Sequence, residues 1–223
     1  KAYAEMLLAE SGLKHWVSLR QSGILYPAIL KNMDPIMFHV PINGVLEWAT
    51  IEDSGRLLAK VCEDSVPEDF WRKFYNIGSG KDYRITNFEF EELLLGALGL
   101  PSTKKIFNAD WFILRNFHGQ WYADSDKLDD ILHFRAYVPV KKYFDDMSKK
   151  VPAYYRACKI FPGKTKNLIG AVAKPFMKKI AETDVFGTLN WRKTGNPDRI
   201  SAYYGTKADW DAIGTWDTFK VER

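Results

Sequence analysis

The sequence predicts an α/β fold that gives way to a mainly helical second half, and three observations carry that expectation. Residues 2–11 are almost all good helix formers and run into Gly12, where a helix commonly stops. Residues 16–19 then read as a brief buried strand, ending in Arg20 and a turn-prone run through Gly23 to Pro27. Helix, strand and loop in succession is α/β grammar. Beyond Pro101 the pattern becomes mainly helical.

The elements follow from local signals. Asp53 is placed to cap a helix running through Glu63. Gly78 and Gly80 allow a turn its backbone angles. Thr86-Asn87-Phe88-Glu89 has the spacing of a capping box that opens a helix over residues 88–98. Ser125 is placed to cap a helix carrying Leu128, Ile131 and Leu132 on one side, and Thr206 another carrying Trp210 and Ile213. With no repeat or low-complexity linker, the chain divides near Pro101 into residues 1–100 and 101–223.

Composition narrows the class. The 223 residues are 46% hydrophobic and 15% aromatic, enough for a sizeable core in one domain or two small ones. The two cysteines, Cys62 and Cys158, fit neither a disulfide framework nor a zinc site, which points to a reducing, cytoplasmic setting. No apolar run is long enough to span a bilayer, and no signal peptide is visible.

A nicotinamide dinucleotide normally needs a glycine-rich turn between strand and helix, and neither Gly-x-Gly-x-x-Gly nor Gly-x-x-Gly-x-x-Gly occurs here. Gly163-Lys164-Thr165 matches only the end of a phosphate loop, since Cys158 stands where its first glycine belongs. No Gly-x-Ser-x-Gly elbow marks a hydrolase nucleophile.

Three landmarks in order nevertheless resemble the extended short-chain dehydrogenase/reductases, the NAD-dependent epimerase/dehydratase family. Arg20-Gln21-Ser22-Gly23-Ile24-Leu25-Tyr26-Pro27 is similar to the strand ending that follows the catalytic Tyr-x-x-x-Lys helix in that family. Leu46-Glu47-Trp48-Ala49-Thr50-Ile51-Glu52-Asp53 resembles the pattern Arg-Asp-Phe-Ile-His-Val-x-Asp that opens a later helix. Tyr75-Asn76-Ile77-Gly78-Ser79-Gly80 looks like the strand and turn that come next. The resemblance covers roughly the first hundred residues and then fades.

The resemblance implies an incomplete Rossmann-like portion, comprising its C-terminal strands and helices, with an appended mainly α-helical substrate lobe. Lys1 matches the lysine of Tyr-x-x-x-Lys, which in the family holds the nicotinamide ribose and lowers the tyrosine pKa; that tyrosine would lie four residues earlier, outside this chain. A nearby cation is what makes a phenol useful near neutral pH. Tyr137/Lys141, Tyr155/Lys159 and Tyr203/Lys207 repeat the spacing but fall after the landmarks they should precede. The implied cofactor is NAD or NADP in the intact protein, with none expected on this chain alone. Cofactor contacts are expected from Lys1, Ser22, Gly23 and Ile24, and substrate contacts from Tyr26, Trp48 and Arg115. Two departures from the pattern stand out. Leu46 replaces an arginine that often meets a nucleotide-sugar diphosphate, and Gln21 replaces the usual proline after Arg20, a residue that is either an electrostatic or structural anchor for the loop or a buried ion-pair partner.

The expected function is the substrate-binding C-terminal portion of a nicotinamide-dependent oxidoreductase or epimerase/dehydratase. The expected partners are a small, anionic substrate and the missing N-terminal half, with a homodimer left open. Charge supplies the rival reading. Residues 141–179 hold eleven Lys or Arg against two acids, so about +9 of a chain whose net charge is +4. Such a segment fits an anionic substrate, a solvated helix face, or a non-enzymatic module that docks on an anionic partner or membrane. In residues 167–180, apolar Leu168, Ile169, Val172, Phe176 and Met177 mix with lysines, though Pro175 should kink a helix there. No nucleic-acid motif accompanies the basic stretch.

Two further groupings are weaker. His118 with Asp124 and Asp126 reads as loop and helix-start residues rather than a metal site. Trp111, Phe112, Phe117, Trp121 and Tyr122 read as core before they read as a pocket lining.

Overall fold

A computed structural model describes residues 1–32, 34–115 and 120–221. In chain order the elements are α1 (Ala2–Glu10), β1 (Val17–Gln21), β2 (Gly23–Leu25), β3 (Val45–Thr50), α2 (Ile51–Val61), β4 (Lys73–Ile77), β5 (Arg84–Thr86) and α3 (Asn87–Leu98). Then come α4 (Thr103–Ile106), α5 (Asp126–Leu132), α6 (Val140–Lys149), α7 (Gly163–Ala181), α8 (Thr188–Thr194), α9 (Pro197–Tyr203) and α10 (Lys207–Asp211). The architecture is α/β. β1 pairs with β4 in parallel, and a second small sheet has the order β2-β3-β5 with β2 and β3 parallel. No helix among the described residues is long and apolar enough to cross a membrane.

The chain forms two compact units, each assembled from three segments. Lys1–Tyr26, Glu47–Arg84 and Trp121–Val138 make the first, and Pro27–Leu46, Ile85–Gln120 and Pro139–Arg223 the second.

In the first unit, Val17 and Leu19 of β1 and Tyr75 and Ile77 of β4 turn alternate side chains into one core. Leu57 of α2 and Leu128 and Leu132 of α5 close over it. The cap of α2 is Thr50, whose hydroxyl accepts the Asp53 N–H at 3.0 Å. Asp53 is thus not the cap. Its buried carboxylate reaches out of the helix to accept from Ser79 Oγ at 2.5 Å and from the Ala136 N–H at 3.0 Å, and it pairs with Arg56. Ser125 likewise stands at the start of α5 without capping it, because its hydroxyl donates to Glu47 Oε1 at 2.6 Å.

The second unit is built around α3. Thr86 and Glu89 form the capping box the spacing predicts, and Phe90, Leu94, Leu95 and Leu98 are buried along the helix. Phe90 meets Phe144 of α6 edge-on at 5.8 Å. Glu91 is fully buried in the same helix, and neither carboxylate oxygen has a hydrogen-bond partner. Burial first, and the neighbouring Glu92 second, push its pKa up to about 8. Thr206 caps α10 as predicted, and Asp209 completes a second capping box with it.

α7 runs unbroken for 19 residues with Pro175 inside it. Gly170 sets which side faces inward: a Cβ there would lie 2.8 Å from Pro101 Cγ, so only glycine lets the helix pack this closely. Met177 and Ala181 share that buried side. Elsewhere in the unit, Trp191 stacks on Tyr203 at 4.8 Å, and the His39 ring lies 4.9 Å from Trp191. Trp111 and Phe112 are core residues, as the sequence suggests, whereas Trp121 of the first unit is half exposed beneath Arg84.

Candidate functional site

Parallel pairing has a simple consequence: strands that run the same way end on the same edge. Gln21 is opposite Ile77 in register, so the turn Ser22-Gly23 after β1 and the turn Gly78-Ser79-Gly80 after β4 leave the sheet side by side. In parallel α/β sheets that carboxyl edge is where ligands bind.

The predicted residues Ser22, Gly23, Ile24 and Trp48 come together at this edge. β2 starts immediately after Ser22, and its register with β3 sets Gly23 opposite Trp48 and Ile24 opposite Ala49. The Ser79 N–H donates to the Trp48 carbonyl at 2.9 Å, and the Thr50 N–H donates to Ser79 Oγ at 2.9 Å. Ile24 is partly exposed, and Tyr26 and Trp48 are half-buried. Two polar groups of the β1 exit are buried without a hydrogen-bond partner, Gln21 Nε2 and Ser22 Oγ. Gln21 Oε1 is engaged, accepting from Ser54 Oγ at 3.2 Å.

Lys1 is exposed at the start of α1, and its carbonyl accepts the Glu5 N–H. One turn further on, the Glu5 carboxylate takes Ser18 Oγ at 2.6 Å and both Arg20 Nε and a terminal Arg20 nitrogen at 2.8 Å. The first turn of α1 is therefore tied to the last residues of β1. Arg20 is the donor in a forked ion pair and also lies over the Phe74 ring at 5.0 Å. Its hydrogen bonds hold Glu5 at a pKa of about 2. Arg20 is an ion-pair partner, but at the surface and not buried as the sequence reading allowed.

Arg115 belongs to the second unit. Its backbone N–H donates to the Tyr203 carbonyl at 2.9 Å and its guanidinium to the Ser201 carbonyl at 3.2 Å.

A buried ionic network underlies the β4 exit, and the sequence did not announce it. Glu47 of β3 has a fully buried side chain that accepts from Arg84 at 3.0 Å, from Ser125 and from the Tyr122 N–H at 3.1 Å. Arg135 donates to the Gly78 carbonyl at 2.9 Å and to the Ser125 carbonyl at 2.8 Å, and it pairs with Asp126. Gly78 is required here, because a Cβ would come within 2.1 Å of Glu47 Oε1. The only sequence signal for the network is an acid within the apolar run of β3. Burial, with Glu47 beside it, raises the pKa of Tyr122.

His118 and Phe117 lie outside the described residues. Asp124 accepts from Asn76 at 2.9 Å, and Asp126 is held by Arg135 and Arg84. Gly163 opens α7 directly after a 3-10 turn, so no strand leads into Gly163-Lys164-Thr165. No protein-family model and no curated protein matches the chain.

Proposed function

We propose that the chain is the substrate-binding, C-terminal portion of a nicotinamide-dependent oxidoreductase or epimerase/dehydratase, whose dinucleotide fold and catalytic tyrosine belong to residues preceding Lys1. The observation that carries this reading is the parallel β1–β4 pair with its two exit turns on one edge. Among the described residues these strands have no other strand partner, although parallel sheets are normally larger and covered on both faces. α1 buries no side chain at all, and Tyr3, Met6 and Leu7 are exposed on it. Both features suit a surface on which further strands and helices pack.

The residues present fit one end of a nicotinamide dinucleotide. Gly23 offers bare backbone, Ser22 Oγ and Gln21 Nε2 are unpartnered, and Trp48 is in register with Gly23. Among the described residues nothing forms a glycine-rich cradle for the pyrophosphate. When bound, the cofactor supplies hydride transfer at a carbinol or carbonyl carbon. Lys1, one turn before the Glu5 that is bonded to Arg20 of β1, would favour the phenolate of an approaching tyrosine. Ser22, Gly23 and Ile24 orient the cofactor, and Tyr26 and Trp48 wall the substrate.

The test compares two samples by NADH and NADPH fluorescence titration. The 223-residue chain should bind either cofactor weakly or not at all, whereas the protein from its native source should be larger than 25.7 kDa and bind one of them. In that longer protein Lys1→Met should cut kcat and weaken cofactor binding together. Submicromolar binding to the isolated chain, or a native mass that matches it, overturns the proposal.

A further inference from the structure

The clearest unassigned feature is the outer side of α7. Leu168, Val172 and Phe176 are 67%, 73% and 60% exposed, although large apolar side chains normally lie inside. They stand four residues apart, so successive members are rotated by only about 40° and form one stripe about 12 Å long. The opposite side holds Gly170 and Met177, packed inward, which fixes the stripe as the outward face. Among the apolar residues of 167–180, the sequence alone could not say which faced the core.

Charge identifies what the stripe meets. Lys164 stands at one end of it and Lys179 at the other, both exposed and neither in an ion pair among the described residues. Lys178 is exposed beside Lys179 and pairs with Glu182 at 3.6 Å. Residues 141–179 contain only two acids, and both are occupied: Asp146 by Lys142 and Lys149, and Asp145 by Lys159 at 3.6 Å. The surface therefore presents apolar side chains between unneutralised lysines. That is the pattern of a helix lying in a membrane interface, with the apolar groups at the acyl boundary and the lysine stems reaching back to the headgroups.

We propose that α7 docks this protein flat on an anionic lipid surface through Leu168, Val172 and Phe176, with Lys164 and Lys179 on lipid headgroups. The dinucleotide reading neither requires this contact nor depends on it.

The experiment is flotation of the 223-residue chain with vesicles of phosphatidylcholine alone or with about 30% phosphatidylserine, at about 0.05 M and about 0.5 M salt. The chain should float with anionic vesicles at low salt and bind at least about tenfold more weakly to neutral vesicles or at high salt. Val172→Asp with Phe176→Asp should weaken binding by at least about tenfold, and its far-UV circular dichroism and thermal midpoint should stay unchanged because both positions are exposed. Lys164→Gln and Lys179→Gln should each cost about fivefold. Failure to float, binding indifferent to lipid charge, or full binding by the double aspartate variant overturns the proposal. So does self-association without lipid that the same variant abolishes, which would give the stripe to a second copy of the chain.

Discussion

Replacing Glu91 by leucine should stabilise the protein, and more so as the pH rises. Glu91 is fully buried in α3, its two oxygens have no hydrogen-bond partner, and its pKa is pushed up to about 8 from an ordinary value of 4.5. A carboxyl whose folded-state pKa is raised binds its proton more tightly in the native chain than in the unfolded one. Stability is therefore unimpaired by this group below 4.5, falls as the pH rises from there to about 8, and levels off above. At roughly 1.4 kcal/mol per unit, the full displacement corresponds to about 5 kcal/mol, with only about 1 kcal/mol felt near pH 5. Relaxation and water entry around a buried charge reduce such figures, so a pH-dependent difference of about 2–4 kcal/mol is expected.

Leucine has a similar size, suits a helix and removes the charge. The assay is urea unfolding of wild type and Glu91→Leu near pH 5 and near pH 9. The decisive quantity is how far the gap between the two proteins changes with pH, since groups common to both cancel. The gap should widen at high pH. A gap of the same size at both pH values would mean that Glu91 does not ionise across this window in the folded state, and an absent gap would mean that the carboxyl is satisfied.

Two further perturbations test the first unit. Arg84→Met leaves the fully buried Glu47 carboxylate, among the described residues, with Ser125 and the Tyr122 N–H as donors, and should cost about 3–5 kcal/mol in urea unfolding; adding Glu47→Leu should recover most of that loss. The Glu5 carboxyl, followed by NMR, should titrate at about 2 and return toward 4.5 in Arg20→Met, because the Arg20 hydrogen bonds are the main cause of its depression. The stability that pair contributes should be present above 4.5 and disappear as the pH falls toward 2.

What could be read from the sequence and what could not divide by chain distance. The Thr86–Glu89 capping box and the Thr206 cap were legible because donor and acceptor lie three residues apart and need no tertiary context. Asp53 and Ser125 look like equally good local caps. Tertiary acceptors and donors claim them instead, because Ser79 is 26 residues from Asp53 and Glu47 is 78 from Ser125. The three family-like segments told where strands and turns should be, but not that Gly23 would sit opposite Trp48, which depends on register. Similarly, the apolar residues of α7 were visible as a mixed pattern. Only the close approach of Gly170 to Pro101 decides that Leu168, Val172 and Phe176 face outward.

The same distinction explains why the two turns at the carboxyl edge differ. The β4 exit is held rigidly from below: Arg135 takes the Gly78 carbonyl, Asp53 takes the Ser79 hydroxyl, and that hydroxyl in turn accepts the Thr50 N–H. Every bond in that chain joins residues of the first unit, so the turn is organised before any ligand arrives. At the β1 exit Gln21 Oε1 accepts from Ser54 Oγ, but among the described residues Gln21 Nε2 and Ser22 Oγ remain unmatched. Each buried unmatched polar group costs about 1–3 kcal/mol, so the β1 exit is the less fully satisfied of the two turns.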